Sequence, residues 1–476
     1  MKTLDQIYIN GEFVTPHGSE FMEFANPSTG AVLVRTRLAD ETDARRAIAA
    51  AKTAYPAFSR TTREERMDML QRLHDVVREG EQELIDTMLD EYGGPLASTA
   101  ATARRASSTF LTVKKVLADY DFERQAGIAR VRMVPLGVVG LITPWNANYG
   151  FITGKLAMAI ASGSTAVIKP SEMSALQTDV LTRLLHKAGL PAGVFNIVTG
   201  RGDTVGAEIT RHPDVAKISF TGSTAVGKAI ARGAVDTMKR VTLELGGKSP
   251  TILLDDADFA MAMPLAVTAA TFNSGQACLA GTRLLVPEQR LEEAKRLAAA
   301  EMAKLQVGDP RDPSTRIGPM VSHRQWERVQ GYIRKGLEEG AELLVGGEGK
   351  PAGLEAGNFV RPTLFAGVRN DMAIAREEIF GPVLSIISYR TEEEAIGIAN
   401  DTDYGLHAYV FSGDVARANR VASQIVAGRV FINGLYDEPL APFGGFRQSG
   451  LGREFGVHGL EAYLEPKALM GYDNAL

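Results

Sequence analysis

Cysteine is almost absent from this sequence, since Cys278 is the single one among 476 residues. An intrachain disulfide needs two cysteines and a cysteine-based zinc cluster needs several, so both are excluded. A protein without disulfides suits a reducing compartment, and the sequence therefore predicts a cytoplasmic protein. The seven histidines have no spacing typical of metal ligands and no motif pairs one with the cysteine, so we expect no metal site.

Long apolar runs and a strong charge imbalance are missing as well. The longest apolar runs, such as residues 136–143, fall far short of the ~20 residues that span a bilayer, and residues 1–5 precede no apolar core of signal-peptide length. Lysine plus arginine number 52 against 57 aspartate plus glutamate, a net charge of −5. Such a chain lacks the basic surface of a general nucleic-acid or membrane-surface binder, so we expect neither partner.

What the chain does contain is typical of a globular protein of about three domains, with 45% hydrophobic and 23% charged residues. Apolar residues at helical spacing over 40–58 and 62–89 predict an early layer of helices. From residue 131 onward, helices alternate with short apolar strands, at 138–142, 165–168, 194–198 and 216–220. This alternation predicts βαβ units around a parallel sheet, and therefore an α/β fold.

Two later features complete the predicted organisation. A second alternating region over 265–430 predicts a second α/β lobe. Residues 120–133 predict an exposed hairpin inserted before the first sheet. Its apolar positions lack a local core, so we expect the hairpin to pair with another subunit.

Two residues are candidates for catalytic chemistry. Cys278 follows a run of small polar residues, 273–277, which favours a turn, although a lone cysteine is commonly a small buried hydrophobe. Glu244 lies between leucines at a strand end, before a Gly-Gly pair. A salt bridge or an exposed edge position is the ordinary explanation for such a glutamate. The alternative is a partly desolvated carboxylate with a raised pKa, which suits a general base.

Polar residues also follow three predicted strands, at the end where parallel sheets bind ligands. The amide of Asn146 could reach an oxyanion, or the residue belongs to a simple turn. Lys169 and Glu172 follow the strand 165–168, and the carboxylate could hold ribose hydroxyls or cap the next helix. Ser223 lies where a strand meets a helix, whose free backbone N–H groups favour phosphate, although an ordinary βα turn has the same pattern.

Together these motifs resemble those of the NAD(P)-dependent aldehyde dehydrogenase superfamily, over essentially the whole chain. They occur in the family's order, at 136–140, 144–146, 169–172, 220–223, 244–248, 275–278, 377–383, 442–445 and 449–450. The resemblance implies a Rossmann-like cofactor domain (1–115 and 136–245), a catalytic α/β domain (246–445) and a small β oligomerisation segment (116–135 and 458–476). It also implies a homodimer or homotetramer.

The resemblance implies that the protein oxidises an aldehyde to the carboxylic acid. Cys278 would attack the carbonyl as a thiolate, while its own backbone N–H and the Asn146 side chain hold the oxyanion. Hydride transfer to the nicotinamide would leave a thioester, which water activated by Glu244 would hydrolyse. Such a base argues against a CoA-acylating member, because there a thiol receives the acyl group.

The resemblance also implies a set of cofactor-binding residues: Lys169 and Glu172 at the adenosine ribose, Ser223 and Trp145 at the pyrophosphate, Glu378 at the nicotinamide ribose and Phe380 near the ring. Glu172 should repel the 2′-phosphate of NADP at close range, whereas Lys169 would tolerate it. We therefore expect NAD as the cofactor, with NADP as the alternative.

The expected substrate pocket departs from the family pattern. Tyr149 lies in a segment where many relatives have an aromatic residue and proline, and Gly154 stands where a bulky aromatic often lines the tunnel. Ala277 and Leu279 flank the cysteine and make the pocket floor apolar, while Tyr436 near the entrance precedes two acids. We expect a medium-to-large or aromatic aldehyde, uncharged or weakly polar.

Two other functions are compatible with some of these residues. A Cys278–Glu244 pair could cleave activated esters as a cofactor-independent thiol esterase, but Lys169, Glu172 and Glu378 would then have no role. A non-catalytic structural protein on the same fold is the other alternative. It would leave the nucleophile, the oxyanion donor and the base without a purpose.

Overall fold

The computed structural model describes residues 1–472. The helices are α1 (Glu41–Phe58), α2 (Arg63–Glu79), α3 (Glu81–Glu91), α4 (Leu96–Asp119), α5 (Asn148–Ser162), α6 (Ala175–Lys187), α7 (Ala207–Arg211), α8 (Thr224–Val235), α9 (Phe259–Thr271), α10 (Leu291–Ala303), α11 (His323–Glu338), α12 (Ala373–Arg376), α13 (Glu392–Asn400), α14 (Val415–Ala422) and α15 (Gly456–Glu461).

The strands fall into four sheets. They are β1 (Lys2–Leu4), β2 (Ile7–Ile9), β3 (Glu12–Val14), β4 (Phe21–Ala25), β5 (Val32–Arg37), β6 (Glu123–Ala126), β7 (Ala129–Pro135), β8 (Val138–Ile142), β9 (Thr165–Lys169), β10 (Phe195–Ile197), β11 (Val215–Thr221), β12 (Arg240–Glu244), β13 (Pro250–Leu253), β14 (Arg283–Pro287), β15 (Glu342–Val345), β16 (Thr363–Ala366), β17 (Val383–Tyr389), β18 (His407–Phe411), β19 (Arg429–Ile432), β20 (Gly450–Leu451) and β21 (Leu464–Met470).

The first lobe is built on an eight-stranded sheet of order β20-β12-β11-β8-β9-β10-β2-β3, in which the run from β12 to β10 is parallel. Successive residues of β8 enter two different cores, Val139 and Leu141 on one face and Val138 and Ile142 on the other. Both faces are buried because the βαβ crossovers place helices on each side. The predicted α/β alternation is confirmed here.

The second lobe has a seven-stranded sheet of order β15-β16-β17-β14-β13-β18-β19, parallel except for the β15–β16 pair. Core clusters again lie on both faces, with Leu285 in one and Leu284 in the other. The predicted second α/β lobe is therefore confirmed.

The early helical layer contains a break that apolar spacing did not predict. The structure ends α2 at Glu79 and begins α3 at Glu81, with Gly80 between them at φ −89° and ψ 9°. A Cβ on Gly80 would lie 2.3 Å from the side chain of Leu184 in α6. Glycine at the break lets Leu184 of α6 pack closely against the junction of α2 and α3. The break does not interrupt the apolar pattern of residues 62–89.

The predicted hairpin is present as β6 and β7. Its partner within the chain is the C-terminal strand β21, which pairs with β7 from Leu464↔Pro135 to Met470↔Ala129. The short strand β20 joins the first sheet next to β12, so part of the interval between the predicted catalytic and oligomerisation segments belongs to the first lobe. Within residues 1–472, no helix is long and apolar enough to span a membrane.

Candidate active site

The candidate site lies beyond the carboxyl ends of four neighbouring parallel strands. Strand β8 leads into Asn146, β9 ends at Lys169, β11 leads into Ser223 and β12 ends at Glu244. Because β12, β11, β8 and β9 are adjacent and parallel, these residues share one edge of the sheet. Residues separated by 98 positions in the sequence are thus brought to a single crevice.

The loop that carries Cys278, the predicted nucleophile, is termed the nucleophile loop; it runs from α9 to β14 through an unusual backbone. Asn273, Ser274 and Gly275 have φ values of 54°, 59° and 73°, so three consecutive residues adopt left-handed conformations. A Cβ on Gly275 would lie 2.3 Å from the carbonyl carbon of Gly381, which only glycine avoids. Residues other than glycine are strained in the left-handed conformation, and such strain is typical of functional loops.

Gln276 attaches this loop to the body of the protein through its side chain. The sequence analysis did not assign a role to this residue. Its amide nitrogen donates to the Tyr92 hydroxyl and to the Pro319 carbonyl, both at 3.3 Å, and its carbonyl oxygen accepts from the Val321 N–H at 3.0 Å. The side chain is 1% exposed. These bonds hold the residue two positions before Cys278 and thereby restrict where the sulfur can lie.

The predicted oxyanion donor is attached to the same loop. The Asn146 Nδ2 donates to the Gln276 carbonyl at 3.0 Å, and the Asn273 Nδ2 donates to the Asn146 carbonyl at 3.1 Å. An amide nitrogen carries two hydrogens, so the bond to Gln276 leaves a second donor. The structure therefore brings Asn146 beside the nucleophile loop, as the predicted role requires.

Cys278 is a half-buried residue, so the loop that carries it is not sealed inside the core. Burial raises the pKa of the Cys278 thiol to about 12, and the carboxyl groups of Glu378 and Glu244 raise it further, whereas the amides of Cys278 and Leu279 oppose the shift. The thiol is therefore protonated at neutral pH, and its proton must leave as the sulfur reacts.

Glu244 is 2% exposed, and neither carboxylate oxygen has a hydrogen-bond partner within the described chain. Burial raises the pKa of Glu244 well above its ordinary value, and the neighbouring Glu454 adds to the increase, while Lys155 and Arg453 oppose it. A carboxylate that is buried, unpaired and reluctant to ionise is a strong base once it does ionise. The ordinary explanation, a glutamate fixed in a salt bridge, does not hold here.

The Gly-Gly pair after Glu244 permits two close contacts. A Cβ on Gly246 would lie 2.6 Å from a carboxylate oxygen of Glu378, and one on Gly247 would lie 2.5 Å from the Cys278 carbonyl oxygen. The Gly247 N–H also donates to Glu378 at 3.1 Å. Burial raises the pKa of Glu378 to about 7, despite this bond and the charge of Arg328. Because Gly246 and Gly247 have no side chains, the backbone that follows Glu244, the predicted base, can lie directly against the nucleophile loop and Glu378.

A buried ion pair, which sequence reasoning missed, lies behind Glu244. Lys155 of α5 is 2% exposed and pairs with Glu454. Its Nζ also donates to the Ser219 hydroxyl at 2.9 Å, and that hydroxyl donates to Glu454 at 3.1 Å. No signal in the sequence links Lys155 to Glu454, because 299 residues separate them.

The residues implied for the cofactor form three local features. Lys169 donates to Glu172 at 3.0 Å, and Ser223 accepts from the Val226 N–H as the N-cap of α8. The Trp145 and Phe380 rings meet edge to face, with centroids 5.5 Å apart. A helix start and a lysine–carboxylate pair at the sheet edge, with an aromatic pair formed by Trp145 and Phe380, are features that suit a dinucleotide.

The residues expected at the substrate pocket have different surroundings. Tyr149 is fully buried and donates to the Leu84 carbonyl at 3.0 Å, so it packs in the core of the first lobe and does not line the predicted pocket. Ala277 is buried and Leu279 half-buried. Gly154 lines a cavity of about 10 Å³ together with Phe455.

The entrance residue Tyr436 is 62% exposed. Together with its two acidic successors it lies on a surface segment, which agrees with an entrance position. Across residues 1–472, no group of three or more His, Cys, Asp or Glu side chains is placed to hold a metal ion.

The chain is similar in sequence and structure to known aldehyde dehydrogenases. A model described as the aldehyde dehydrogenase family matches residues 13–469. A 3-succinoylsemialdehyde-pyridine dehydrogenase from a Pseudomonas species is 44% identical over 477 residues, covering 100% of both chains.

Solved structures give the same result. A mutant of aldehyde dehydrogenase C from Pseudomonas syringae, in complex with NAD+ and octanal, is 45% identical, covers 99% of this chain and 97% of its own, and superimposes with a TM-score of 0.97. Betaine aldehyde dehydrogenase from Staphylococcus aureus, in complex with NAD+, is 34% identical over 99% and 95% of the two chains, with a TM-score of 0.95. With its nucleophile loop, buried carboxylate and sheet-edge crevice arranged in this fold, the chain belongs to the aldehyde dehydrogenase family.

Proposed function

We propose that the protein oxidises an aldehyde to its carboxylic acid with NAD as the hydride acceptor. The observation that carries this proposal is the pairing of a partly exposed cysteine loop, bonded to Asn146, with the buried and unpaired carboxylate of Glu244. These residues would supply a nucleophile, an oxyanion donor and a base.

In the first step the Cys278 sulfur attacks the aldehyde carbonyl, and a carbon–sulfur bond forms as the thiol gives its proton to a solvent water molecule. The carbonyl oxygen gains negative charge, which the second N–H of Asn146 and the backbone N–H of Cys278 would stabilise. The raised pKa of the thiol means that this stabilisation must favour the adduct over the free thiolate.

NAD, when bound, supplies the acceptor for the hydride that leaves the substrate carbon. Lys169 and Glu172 would hold its adenosine ribose, and the N–H groups at the start of α8, next to Ser223, would face its pyrophosphate. Trp145 and Phe380 would provide the apolar surface beside the nicotinamide, and Glu378 a carboxylate for its ribose.

The last step frees the acid from the thioester. Glu244 would remove a proton from water, which attacks the acyl carbon and breaks its bond to the Cys278 sulfur. The same burial that raises the pKa of Glu244 makes its ionised form a stronger proton acceptor than an exposed glutamate. The buried pair of Lys155 and Glu454 sets the charge that Glu244 experiences.

We also propose a medium-to-large, uncharged or weakly polar aldehyde as substrate. Two similar proteins support this class: one is named for a pyridine-containing succinoyl semialdehyde, and another was crystallised with octanal. Gly154 supports it as well, because a Cβ there would have only the Thr109 methyl within 4 Å, at 3.9 Å. The position therefore lacks the bulk that an aromatic side chain would add.

Steady-state and rapid kinetics test the proposal with both dinucleotides and an aldehyde panel, following NADH absorbance. Cys278→Ala should abolish turnover, whereas Glu244→Gln should give a burst of about one NADH per site and then a steady rate lowered at least about hundredfold. A wild-type protein that produces no NADH would refute the function. A kcat/KM that peaks for acetaldehyde or succinate semialdehyde would refute the substrate class alone.

A further inference from the structure

An aromatic wall leads from the catalytic base towards the protein surface. A Cβ on Gly444 would lie 2.7 Å from a carboxylate oxygen of Glu244, so this segment abuts the base. The preceding residue, Phe443, has its ring centroid 5.4 Å from that of Phe455. Phe455 in turn lines the same cavity as Gly154. The two rings therefore form a continuous aromatic contact, which begins next to the segment beside Glu244 and ends at this cavity.

Arg105 of α4 lies at the outer end of this wall. Its guanidinium carbon is 5.5 Å from the centroid of the Phe455 ring. One turn further along α4, the Thr109 methyl lies 3.9 Å from the position that a Gly154 Cβ would occupy. The same face of α4 thus lies next to both Gly154 and the Phe455 ring.

Two arginines contact these rings, but their donors are used differently. Arg429 lies over both Phe443 and Phe455, and its guanidinium donates to three backbone carbonyls, those of Glu438, Ala441 and Pro442. Arg105 has a single described partner, the Asp437 carboxylate at 3.1 Å. A guanidinium carries five N–H donors, so Arg105 has donors to offer a ligand.

The Arg105–Asp437 pair is accessible, with side chains 41% and 63% exposed. Asp437 balances the charge of Arg105 while leaving most of its N–H groups unengaged. A neutral acceptor, such as a ketone oxygen or a ring nitrogen, could bind these donors without competing for the ion pair. A carboxylate would be repelled by Asp437 at the same place.

We propose that Arg105 is a specificity-determining residue, which binds a neutral hydrogen-bond acceptor at the end of the substrate remote from the aldehyde. The inference rests on the proposed function and narrows its substrate class. Asp437 acts against substrates that end in a carboxylate. The preferred aldehydes therefore carry a ketone or a heteroaromatic nitrogen and no remote charge.

Three eight-carbon aldehydes test the inference, since they differ only at the remote end: octanal, 7-oxooctanal and 8-oxooctanoate. In Arg105→Leu, the ratio of kcat/KM for 7-oxooctanal over octanal should fall about tenfold, the size of one charged hydrogen bond, and mainly through KM. Arg105→Lys should keep part of the ratio, because the lysine retains a charged donor. The matched control is Arg104→Leu on the same helix, whose described partner is Glu81; it should leave the ratio unchanged.

Asp437→Asn should raise kcat/KM for 8-oxooctanoate over octanal several-fold, because it removes the opposing charge. Ratios that stay constant in Arg105→Leu, or that change equally in Arg104→Leu, would overturn the inference while the enzyme still oxidises octanal. Absence of NADH formation by the wild-type protein with all three aldehydes would instead refute the proposed function.

Discussion

At the scale of single residues, the site is dominated by groups whose ionisation burial disfavours. The pKa values of Cys278, Glu244 and Glu378 are all raised, with burial as the largest cause in each. Each of the two carboxyl groups also opposes ionisation of the thiol. The three groups therefore do not all ionise together, and a charge gained by one raises the cost of charging the next.

The pH dependence of turnover should report on Glu244. Its pKa lies well above the ordinary glutamate value, so at mildly acidic pH the carboxyl is protonated and cannot accept a proton from water. We expect kcat to rise with pH over a range clearly above about 4.3, the value of a free glutamate. In Glu454→Gln this rise should shift to lower pH, because one cause of the raised pKa is removed. A rise centred at the ordinary carboxyl value would contradict this account.

At the scale of elements, the site depends on short glycine-containing segments whose backbones lie in direct contact. The Gly246-Gly247 segment after β12 touches the nucleophile loop on one side and Glu378 on the other. Three left-handed residues turn that loop, and the buried Gln276 bonds it to the body of the protein. Backbone strain is held in place here by hydrogen bonds, which explains how a loop can position a nucleophile.

Gly247→Ala should lower catalytic activity much more than it lowers the stability of the fold. The added methyl would lie 2.5 Å from the Cys278 carbonyl oxygen, so the nucleophile loop must move. We expect a fall in kcat/KM of about hundredfold or more, as for small displacements of reacting groups, with a loss of about 1–3 kcal/mol in unfolding free energy.

Gly331→Ala is the matched control, since Gly331 is exposed within α11 and a Cβ there has nothing within 4 Å. It should leave activity unchanged and stabilise the protein by up to about 1 kcal/mol, as alanine does within a helix. Kinetics and chemical denaturation measure both effects. Normal activity in Gly247→Ala would show that the nucleophile loop does not need this contact.

At the scale of the whole molecule, distant parts of the chain complete each other's sheets. Strand β21 pairs with β7 over seven residues, and β20 extends the sheet of the first lobe. Within residues 1–472, β6 has no strand on its outer side, and Ile128 at the hairpin tip is 83% exposed. An open edge with an apolar tip favours contact with another chain, which agrees with the predicted oligomerisation segment.

Sedimentation velocity should therefore find a dimer or a tetramer, and Ile128→Lys should shift the population towards the monomer. A charge buried in an interface is costly, so the shift should be visible at micromolar concentration. Met261→Lys is the control, because Met261 is 70% exposed on α9, away from the hairpin. A wild-type monomer, or equal dissociation of both variants, would refute the assignment of this segment.

The sequence by itself determined the fold class and much of the site. Strand and helix periods alternate clearly, and buried parallel strands require helices on both faces, so the α/β lobes followed from local pattern. Residues that follow such strands meet at one edge, so the sequence alone could assign Asn146, Lys169 and Ser223 to a ligand-binding edge.

Only the tertiary structure decided which side chains meet across long separations. Lys155 pairs with Glu454 across 299 residues, and Gln276 reaches Tyr92 across 184. Tyr149, which was expected at the pocket, instead lies in the core, where its hydroxyl donates to the Leu84 carbonyl. Periodicity reports the face of an element on which a residue lies, but the neighbour that covers that face depends on how the elements pack. Partner choice, and with it the charge around the base, is therefore a property of the packed molecule.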